Sequence, residues 1–494
     1  MSLPVTHSDL QERCLRLARL LADQLADHQG EDGNFVQHSF YAKAYALALW
    51  QNLGDARHHP KSISAINALK NEKQDHLYHR EFIEYALERC PDINVETRNA
   101  ILRNAPYQTP NVANWRILTM CIRQSGSWSD KLRAKLDWLY IRTRFWRAPA
   151  FMDRPGCFSA QYHAFCAALL TDSPIQAQSK IAANATDLIA RLCRTKGIPN
   201  LVGRGSGQSF GVVTALYALL KHGYRQEAEA ILFRLEQTLL LTETLPLNLL
   251  APNPLPDVPG PDNSQTPGWY SYNRHYDYLA FTGFWLLRAA VNNVPESAPT
   301  NLATATPDFL LIKDTRHYHA RMCVRGKTSY DVTPSPVLIT NGHVFIPPTG
   351  GEEDFPSLYS PASQPLPAFA RHEAFGAFTS GTVNDTTINI AFRLAGFRGR
   401  RSITFHEEEI VIHDQVRADN SSGLHLFRLL VPAGFAYERP DKTRIDVPEL
   451  NLHLIADHPL HIADDGLFAV TGPVKMIFVP NQSTATLRIV WNPS

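Results

Sequence analysis

Three short stretches place proton-moving and charge-neutralising side chains just ahead of apolar helical runs. "NVANWRIL" carries Asn114, Trp115 and Arg116, and "DRPGCFSAQYHAF" carries Gln161, Tyr162 and His163. "GWYSYNRHYDYLAF" carries Trp269, Tyr272, Asn273, Arg274, His275 and Asp277. Asn, Arg, Tyr and His with no compulsory carboxylate pair suit β-elimination from a uronic acid. The proton on the carbon beside the sugar carboxylate is weakly acidic. An Asn amide or an Arg that neutralises the carboxylate stabilises the enolate-like transition state. A Tyr or His then takes the proton, and a Tyr can also donate to the leaving glycosidic oxygen. Free Tyr titrates near ~10, so a Tyr base needs a cation beside it. Arg116 and Arg274 are the cations considered for that place. Groups at helix starts converge on one rim if their helices pack as parallel inner staves.

The elements needed for this are legible as a change of period. From Leu10 to about Val291 the pattern is helical, with Leu10, Cys14, Leu17, Leu21 and Leu25 at steps of three and four. "SFYAKAYALALWQNL", "HREFIEYALERC", "DKLRAKLDWLYIRTRFW", "SFGVVTALYALLKHG" and "RQEAEAILFRLEQTLL" continue it, separated by Gly and Pro breaks. "YDYLAFTGFWLLRAAV" is apolar nearly all round and predicts an inner, buried helix. The long loop from Glu243 to Trp269 holds seven prolines, and such loops tend to be functional or disordered. After "NNVPESAPTNLATATPD" the period becomes two, in "INIAFRL", "RSITFHEEEIVIHD", "LHLFRLLVP", "VKMIFVP" and "ATLRIVW". The expected class is therefore α+β multidomain. A toroid of helical (α/α) hairpins spans 1–293, a linker 294–307 and an antiparallel β-sandwich 308–494.

Bulk properties set the outer bounds. The chain has 494 residues, 44% apolar and 19% charged, which is globular and long enough for two or three domains. A formal charge of +1 gives no global pull toward nucleic acid, so no nucleic-acid partner is expected. Seven scattered cysteines without a CxxC fit buried thiols or a reduced compartment. No apolar run reaches membrane-spanning length. "MSLPVTHSDLQERC" does not read as a signal peptide, so a cytoplasmic location is expected as written, or a periplasmic or secreted one if a signal was removed.

The arrangement resembles the polysaccharide lyases of the heparinase II/III, alginate lyase and hyaluronate/chondroitin lyase type. "ANWR" resembles their Asn-bearing inner helix. "GCFSAQYH" resembles the later segment in which Gly and Phe precede a helix carrying the catalytic Tyr or His. The 48 residues from Asn114 to Tyr162 are similar to the family's one-hairpin interval. The resemblance implies an acidic polysaccharide substrate, Asn114 as the carboxylate-neutralising group and Tyr162 as acid or acid/base, with His163 as a possible base. Heparinase-type enzymes place a further His early in the β domain, where His317 and His319 of "RHYHARM" are nearest. Their surroundings differ from the family's metal-supporting segment, and Tyr272, Arg274 and His275 could supply the missing groups instead. Arg116, Trp115, Gln161, Arg204, Trp269 and Tyr272 are the expected substrate-binding residues.

Each feature also has a plainer reading. Asn114 is a favoured N-cap type. Tyr162 and His163 could be satisfied core residues, and Tyr272, Arg274 and His275 an interhelical network. His317 and His319 lack a third metal ligand, so no metal or other cofactor is expected. "RGSGQSFG", Arg204 to Gly211, lacks the Lys of a phosphate loop and reads as a mobile, substrate-facing helix start. "HEEEIVIHD" reads as a solvated strand edge, and "FRGRR" as a basic segment able to meet an acidic chain. Two other functions compete. An inverting glycoside hydrolase needs carboxylates about 6.5–9.5 Å apart, for which Asp153 and Asp277 are the pair, with Glu81 in reserve. A non-catalytic glycan binder would use Trp115, Trp269 and Tyr270 as stacking platforms.

Overall fold

In the computed structural model, the described residues are 7–36, 38–74, 78–103, 105–108, 110–173, 175–193, 197–242, 244–246, 248–250, 273–291, 295, 306–327, 331–349, 364–370 and 373–491. Among them the first domain contains twelve α-helices. These are α1 (His7–His28), α2 (Ala42–Leu53), α3 (His59–Asn71), α4 (Arg80–Leu87), α5 (Val95–Leu102), α6 (Ala113–Gln124), α7 (Trp128–Arg144), α8 (Ala160–Asp172), α9 (Gln176–Cys193), α10 (Ser209–Lys221), α11 (Arg225–Thr242) and α12 (His275–Val291).

The even-numbered helices form a closed inner ring. Each packs on the next, α2 on α4, α4 on α6, α6 on α8, α8 on α10, α10 on α12, and α12 back on α2. The odd-numbered helices lie outside, α7 on α6, α9 on α8, α11 on α10 and α1 on α12. Sequence sorts the two layers. Every residue from Ala160 to Leu170 of α8 and from Ser209 to Leu220 of α10 is buried, whereas α7 buries only Ala134 and Ile141. A helix apolar on all sides has no face to give to water and must go inside.

Charged side chains close the ring at both ends. The Asp277 carboxylate, in the first turn of α12, accepts the backbone N–H groups of Phe40, Tyr41 and Ala42 at 2.9, 2.8 and 2.6 Å. It thereby satisfies donors that the start of α2 leaves unpaired. At the other end, Asp172 accepts from Tyr85 and Tyr217 hydroxyls at 2.9 Å each and from the guanidinia of Arg89 and Arg288. These cations sit where helix C-termini carry negative dipole ends.

The second domain is antiparallel. A seven-stranded sheet runs in the spatial order Ala377–Asn384, Thr387–Leu394, Phe397–Phe405, Glu409–Val416, Thr484–Trp491, Leu452–Ala456, Arg444–Val447. Its inner face shares a core with a six-stranded sheet built on Leu424–Pro432 and Gly472–Pro480, and with a four-stranded sheet over Leu310–Ile346. Leu430, Met476, Val337 and Ile339 of those two sheets also join the core of the helical domain. That middle layer is covered on both faces, which explains why Leu424–Pro432 reads as a near-continuous apolar run. The expected class, a helical toroid followed by antiparallel sheets, is the one the chain adopts. The last described helix ends at Val291 and the first strand of this domain begins at Leu310, and most of 294–307 lies outside the described residues.

Two local expectations change. Glu409–Val416 is an interior strand, paired with Phe397–Phe405 and Thr484–Trp491, and not an edge. Its alternation hides Asp414, which takes a bidentate pair from Arg401 at 2.7 Å for both contacts. Arg401, the last residue of "FRGRR", also donates to the carbonyls of Pro334, Pro365 and Phe427. It is a core residue, while Arg398 and Arg400 remain exposed. Among the described residues no helix is long and apolar enough to cross a membrane.

The buried pair predicts a measurable asymmetry. Arg401→Leu leaves the Asp414 carboxylate buried without its cation, and should lower unfolding free energy by ~3–5 kcal/mol. Arg401→Leu combined with Asp414→Leu should recover much of that loss in denaturant titrations followed by circular dichroism.

Candidate active site

A cavity of about 290 Å³ opens at one end of the inner ring. Its lining comes from the starts of all six inner helices. Phe40 and Tyr41 precede α2, His79 precedes α4, Asn114 and Trp115 lie in the first turn of α6, Tyr162 in that of α8, Phe210 in that of α10, and Asn273 and Tyr278 flank the start of α12. Helix N-termini carry unpaired N–H groups and positive dipole ends, so six of them facing one space favour an anion there. Among the described residues that line the cavity, none carries a carboxylate, and Arg204 adds a cation.

Asn114 is the second residue of α6, whose N-cap position is taken by Val112 without a side-chain cap bond. It does not cap the helix. Its side chain is buried and its Oδ1 has no hydrogen-bond partner. An unmade hydrogen bond at such a site costs about 1–3 kcal/mol, which a ligand donor such as a hydroxyl can repay. Trp115 sits beside it, edge-on to His79 and Phe82 at centroid distances of 5.0 and 5.1 Å. Arg116 does not reach the cavity. Two residues from Asn114 on a helix, it points the other way, donates to Pro110 O at 3.2 Å and lies over the Tyr140 ring.

Tyr162 is the third residue of α8, after the N-cap Ser159, whose hydroxyl accepts the Tyr162 N–H. The Arg204 guanidinium lies 4.6 Å from its ring centroid. Asp153, 1% exposed, holds Arg204 at 2.8 Å. Arg204 is therefore the cation at Tyr162, in place of Arg116 or Arg274. The glycine-rich stretch that carries it packs closely on the start of α8. Gly205 has φ +81°, and a Cβ there would stand 2.3 Å from Gln161 Nε2. Gly203 has φ +79°, and a Cβ would stand 2.5 Å from Phe158 O. Only glycine lets the loop lie this close to α8.

His163 is a correction. It is fully buried, accepts the Phe151 N–H at Nδ1 (3.1 Å) and is 3.0 Å from Ala185 O at Nε2. Both ring nitrogens are used, and burial pulls its pKa down to about 4. As neighbours in a helix, Tyr162 and His163 point about 100° apart, and only Tyr162 reaches the cavity. Gln161 is also buried, donating to Gln208 at 3.0 Å behind the wall. His275 does not line the cavity. Burial, then the charge of His28, pulls its pKa down to about 4. Arg274 lies at the margin, its guanidinium 5.3 Å from the centroid of the Phe40 ring. Trp269, Tyr270 and Tyr272 lie outside the described residues.

Three polar groups of the lining, His79, Tyr41 and Tyr278, are not among the candidates that the sequence singles out. His79 stacks on Phe40 at 4.4 Å, its Nδ1 is buried without a partner, and burial lowers its pKa to about 4. It is a neutral imidazole at the cavity wall. Its signal was the same as the others, a polar group just before an apolar run, in "HREFIEYALERC". Asn273 donates to the Tyr278 hydroxyl at 2.7 Å, and Gln208 donates to Asn273 at 2.8 Å. Burial and the Asp277 charge raise the Tyr41 pKa well above its ordinary value, so it stays protonated.

The carboxylates of the hydrolase reading are engaged elsewhere. Asp277 holds the start of α2, Asp153 holds Arg204, and Glu81 is fully buried; none lines the cavity. His319 pairs with Asp314 at 2.8 Å and His317 accepts from Arg316 at 2.8 Å. Among the described residues no cluster of three or more His, Cys, Asp or Glu could hold a metal.

No family model and no curated protein matches the chain. Among solved structures it is similar to the Streptomyces coelicolor A3 chondroitin AC lyase in complex with chondroitin sulphate. Identity there is 11% and the TM-score 0.49, with 100% of this chain and 81% of that one covered. It is similar also to a chondroitinase AC lyase described in oligosaccharide complexes, at 8% identity and TM-score 0.49, covering 99% of this chain and 83% of that one. These figures describe chain path and assign no substrate or activity.

Two stability outcomes follow from the geometry. Asn114→Ala should change unfolding free energy by less than about 1 kcal/mol, since no cap and no Oδ1 bond is lost; a loss of about 2 kcal/mol in denaturant titrations would restore the cap reading. His79, His163, His222 and His275 all have pKa values lowered from 6.5 to about 4. Between those values the unfolded chain binds more protons than the folded one. Stability should therefore fall as pH drops from 6.5 towards 4, measured as the melting temperature across that window.

Proposed function

We propose that this chain is a polysaccharide lyase that cleaves a uronic-acid-containing polysaccharide by β-elimination. The observation that carries the reading is a cavity lined, among the described residues, by no carboxylate, where the starts of six inner helices meet, with the Asn114 amide at the start of α6 and Tyr162, beside the Arg204 guanidinium, at the start of α8. A uronate carboxylate placed against Asn114 and the helix starts has its charge neutralised, which acidifies the adjacent C5–H. The base removes that proton, and the C5–H electrons become the C4–C5 double bond. The C4–O bond breaks, and the leaving oxygen takes a proton from the acid.

Tyr162 is the proton-moving residue in this reading, and His79, neutral and in the wall, assists in place of His163 and His275. Trp115 is the apolar platform for the sugar ring, and Arg204 the cation that complements the negative charge in flight. Asp153, which does not touch the cavity, positions Arg204.

Elimination creates a conjugated double bond that absorbs in the ultraviolet, hydrolysis creates only reducing ends, and binding creates neither. The test is an absorbance screen over acidic polysaccharides. Tyr162→Phe should keep the fold and abolish the absorbance increase; turnover like that of the unmodified protein would remove Tyr162 from the mechanism. Asn114→Ala should lower kcat by about 10²–10³-fold, in line with loss of one oxyanion-type donor. Reducing ends without absorbance would replace elimination by hydrolysis.

A further inference from the structure

The solvent face of the seven-stranded sheet has an unusual concentration of one charge. Arg393 and Arg398 stand directly opposite each other on neighbouring strands. Arg400, two residues on, faces Ala391 on one side and Gln415 on the other. Arg417 follows the next strand, and its N–H bonds to Arg398 O at 3.0 Å. All four are exposed. Among the described residues none of their side chains has an ion pair or hydrogen bond. Arginines elsewhere on the same sheet are paired, Arg488 with Glu409 and Arg444 with Asp446. Like charges opposite each other on adjacent strands destabilise a sheet, so folding alone gives no reason to place Arg393 against Arg398.

Beside these arginines the sheet face is hollow, with a cavity of about 340 Å³. Its lining includes Ser380, Asn389, Arg400, Ser402, His413 and Gln415. No carboxylate faces into this hollow among the described residues; the nearest acid along the strand, Asp414, points inward to Arg401. The surface thus offers unpaired guanidinia for anionic groups and amides and hydroxyls for sugar hydroxyls. Among the described residues the hollow's lining has no Phe, Tyr or Trp on which a nucleic-acid base could stack.

We propose that this face is a second, non-catalytic binding site for an acidic polysaccharide chain, gripped by Arg393, Arg398 and Arg400 with Asn389 and Gln415 reading hydroxyls. It goes beyond the cleavage reading, because it needs no chemistry and lies on the other domain. A polymer held there is kept at high local concentration near the same molecule.

The test is calorimetry on the full chain carrying Asn114→Ala. The probes are a heparin-derived hexasaccharide, neutral cellohexaose and a short DNA duplex. The hexasaccharide should bind, and Arg393→Ser with Arg398→Ser and Arg400→Ser should weaken it about tenfold, the sum of three modest exposed charge contacts. The three Arg→Lys changes should retain most of the binding. Cellohexaose should bind neither protein. The melting temperature of the triple Ser variant should equal or exceed that of its parent, since repulsion is relieved, which shows that lost binding is not lost folding. Hexasaccharide binding unchanged in the triple Ser variant, or absent from the parent, overturns the proposal. DNA bound as tightly as the hexasaccharide overturns it in favour of a nucleic-acid surface. Failure of the cleavage reading shows separately, as no ultraviolet product from the unmodified protein.

Discussion

Helix polarity is the constraint on which the rest depends. Six inner helices run the same way, so their unpaired N–H groups gather at one rim and their unpaired carbonyls at the other. The chain treats the two rims differently. At the carbonyl end it places Arg89 and Arg288, balanced by Asp172 and closed by the hydroxyls of Tyr85 and Tyr217. At the N–H end the Asp277 carboxylate is spent on three backbone donors of the α2 start and the Asp153 carboxylate on Arg204. What remains open there, among the described residues, is an aromatic-rich lining whose polar groups are amides, phenols, one imidazole and one guanidinium. By charge that lining suits an anionic group.

The sheet domain reaches the same rim. Phe158, just before α8, donates to Arg325 O at 2.9 Å, and its ring lies 5.4 Å from that of Phe309. From Asp331 a chain of charges leads inward: Arg154 at 2.5 Å, then Asp153 at 3.7 Å, then Arg204 at 2.8 Å, which covers Tyr162. The side chain expected to move protons is thus positioned by a guanidinium whose orientation depends on both domains. The glycines at 203 and 205 are what let that guanidinium arrive, because any larger residue would collide with Phe158 or Gln161.

Much of this was legible in the chain. The change from a period of three to four residues to a period of two separates the domains, and the all-apolar stretch of α12 identifies an inner stave. The rule that polar groups at helix starts meet on one rim finds Asn114, Trp115 and Tyr162. It was less able to say which of two adjacent polar residues faces inward. Tyr162 and His163, or Asn114 and Arg116, differ only by helix rotation, and that is fixed by neighbours remote in sequence such as Phe151 and Ala185. His79 carries the same signal, but ahead of a helix of only eight residues, where the apolar period is short. Arg204 was associated with substrate, but its place over Tyr162 depends on a loop path set by glycines at positive φ, which periodicity does not report. Glu409–Val416 looked like an edge because of its acidic start, yet pairing on both sides is decided by strand order alone.

The most direct measurement is a crystal structure of the Tyr162→Phe protein with a bound uronate-containing oligosaccharide. The account predicts a sugar carboxylate within hydrogen-bonding distance of the Asn114 side chain and the helix starts around it, with the ring against Trp115 and the C5 hydrogen directed toward position 162. An oligosaccharide whose carboxylates all point to solvent, or one seated away from the six helix starts while that cavity stays empty, would contradict it.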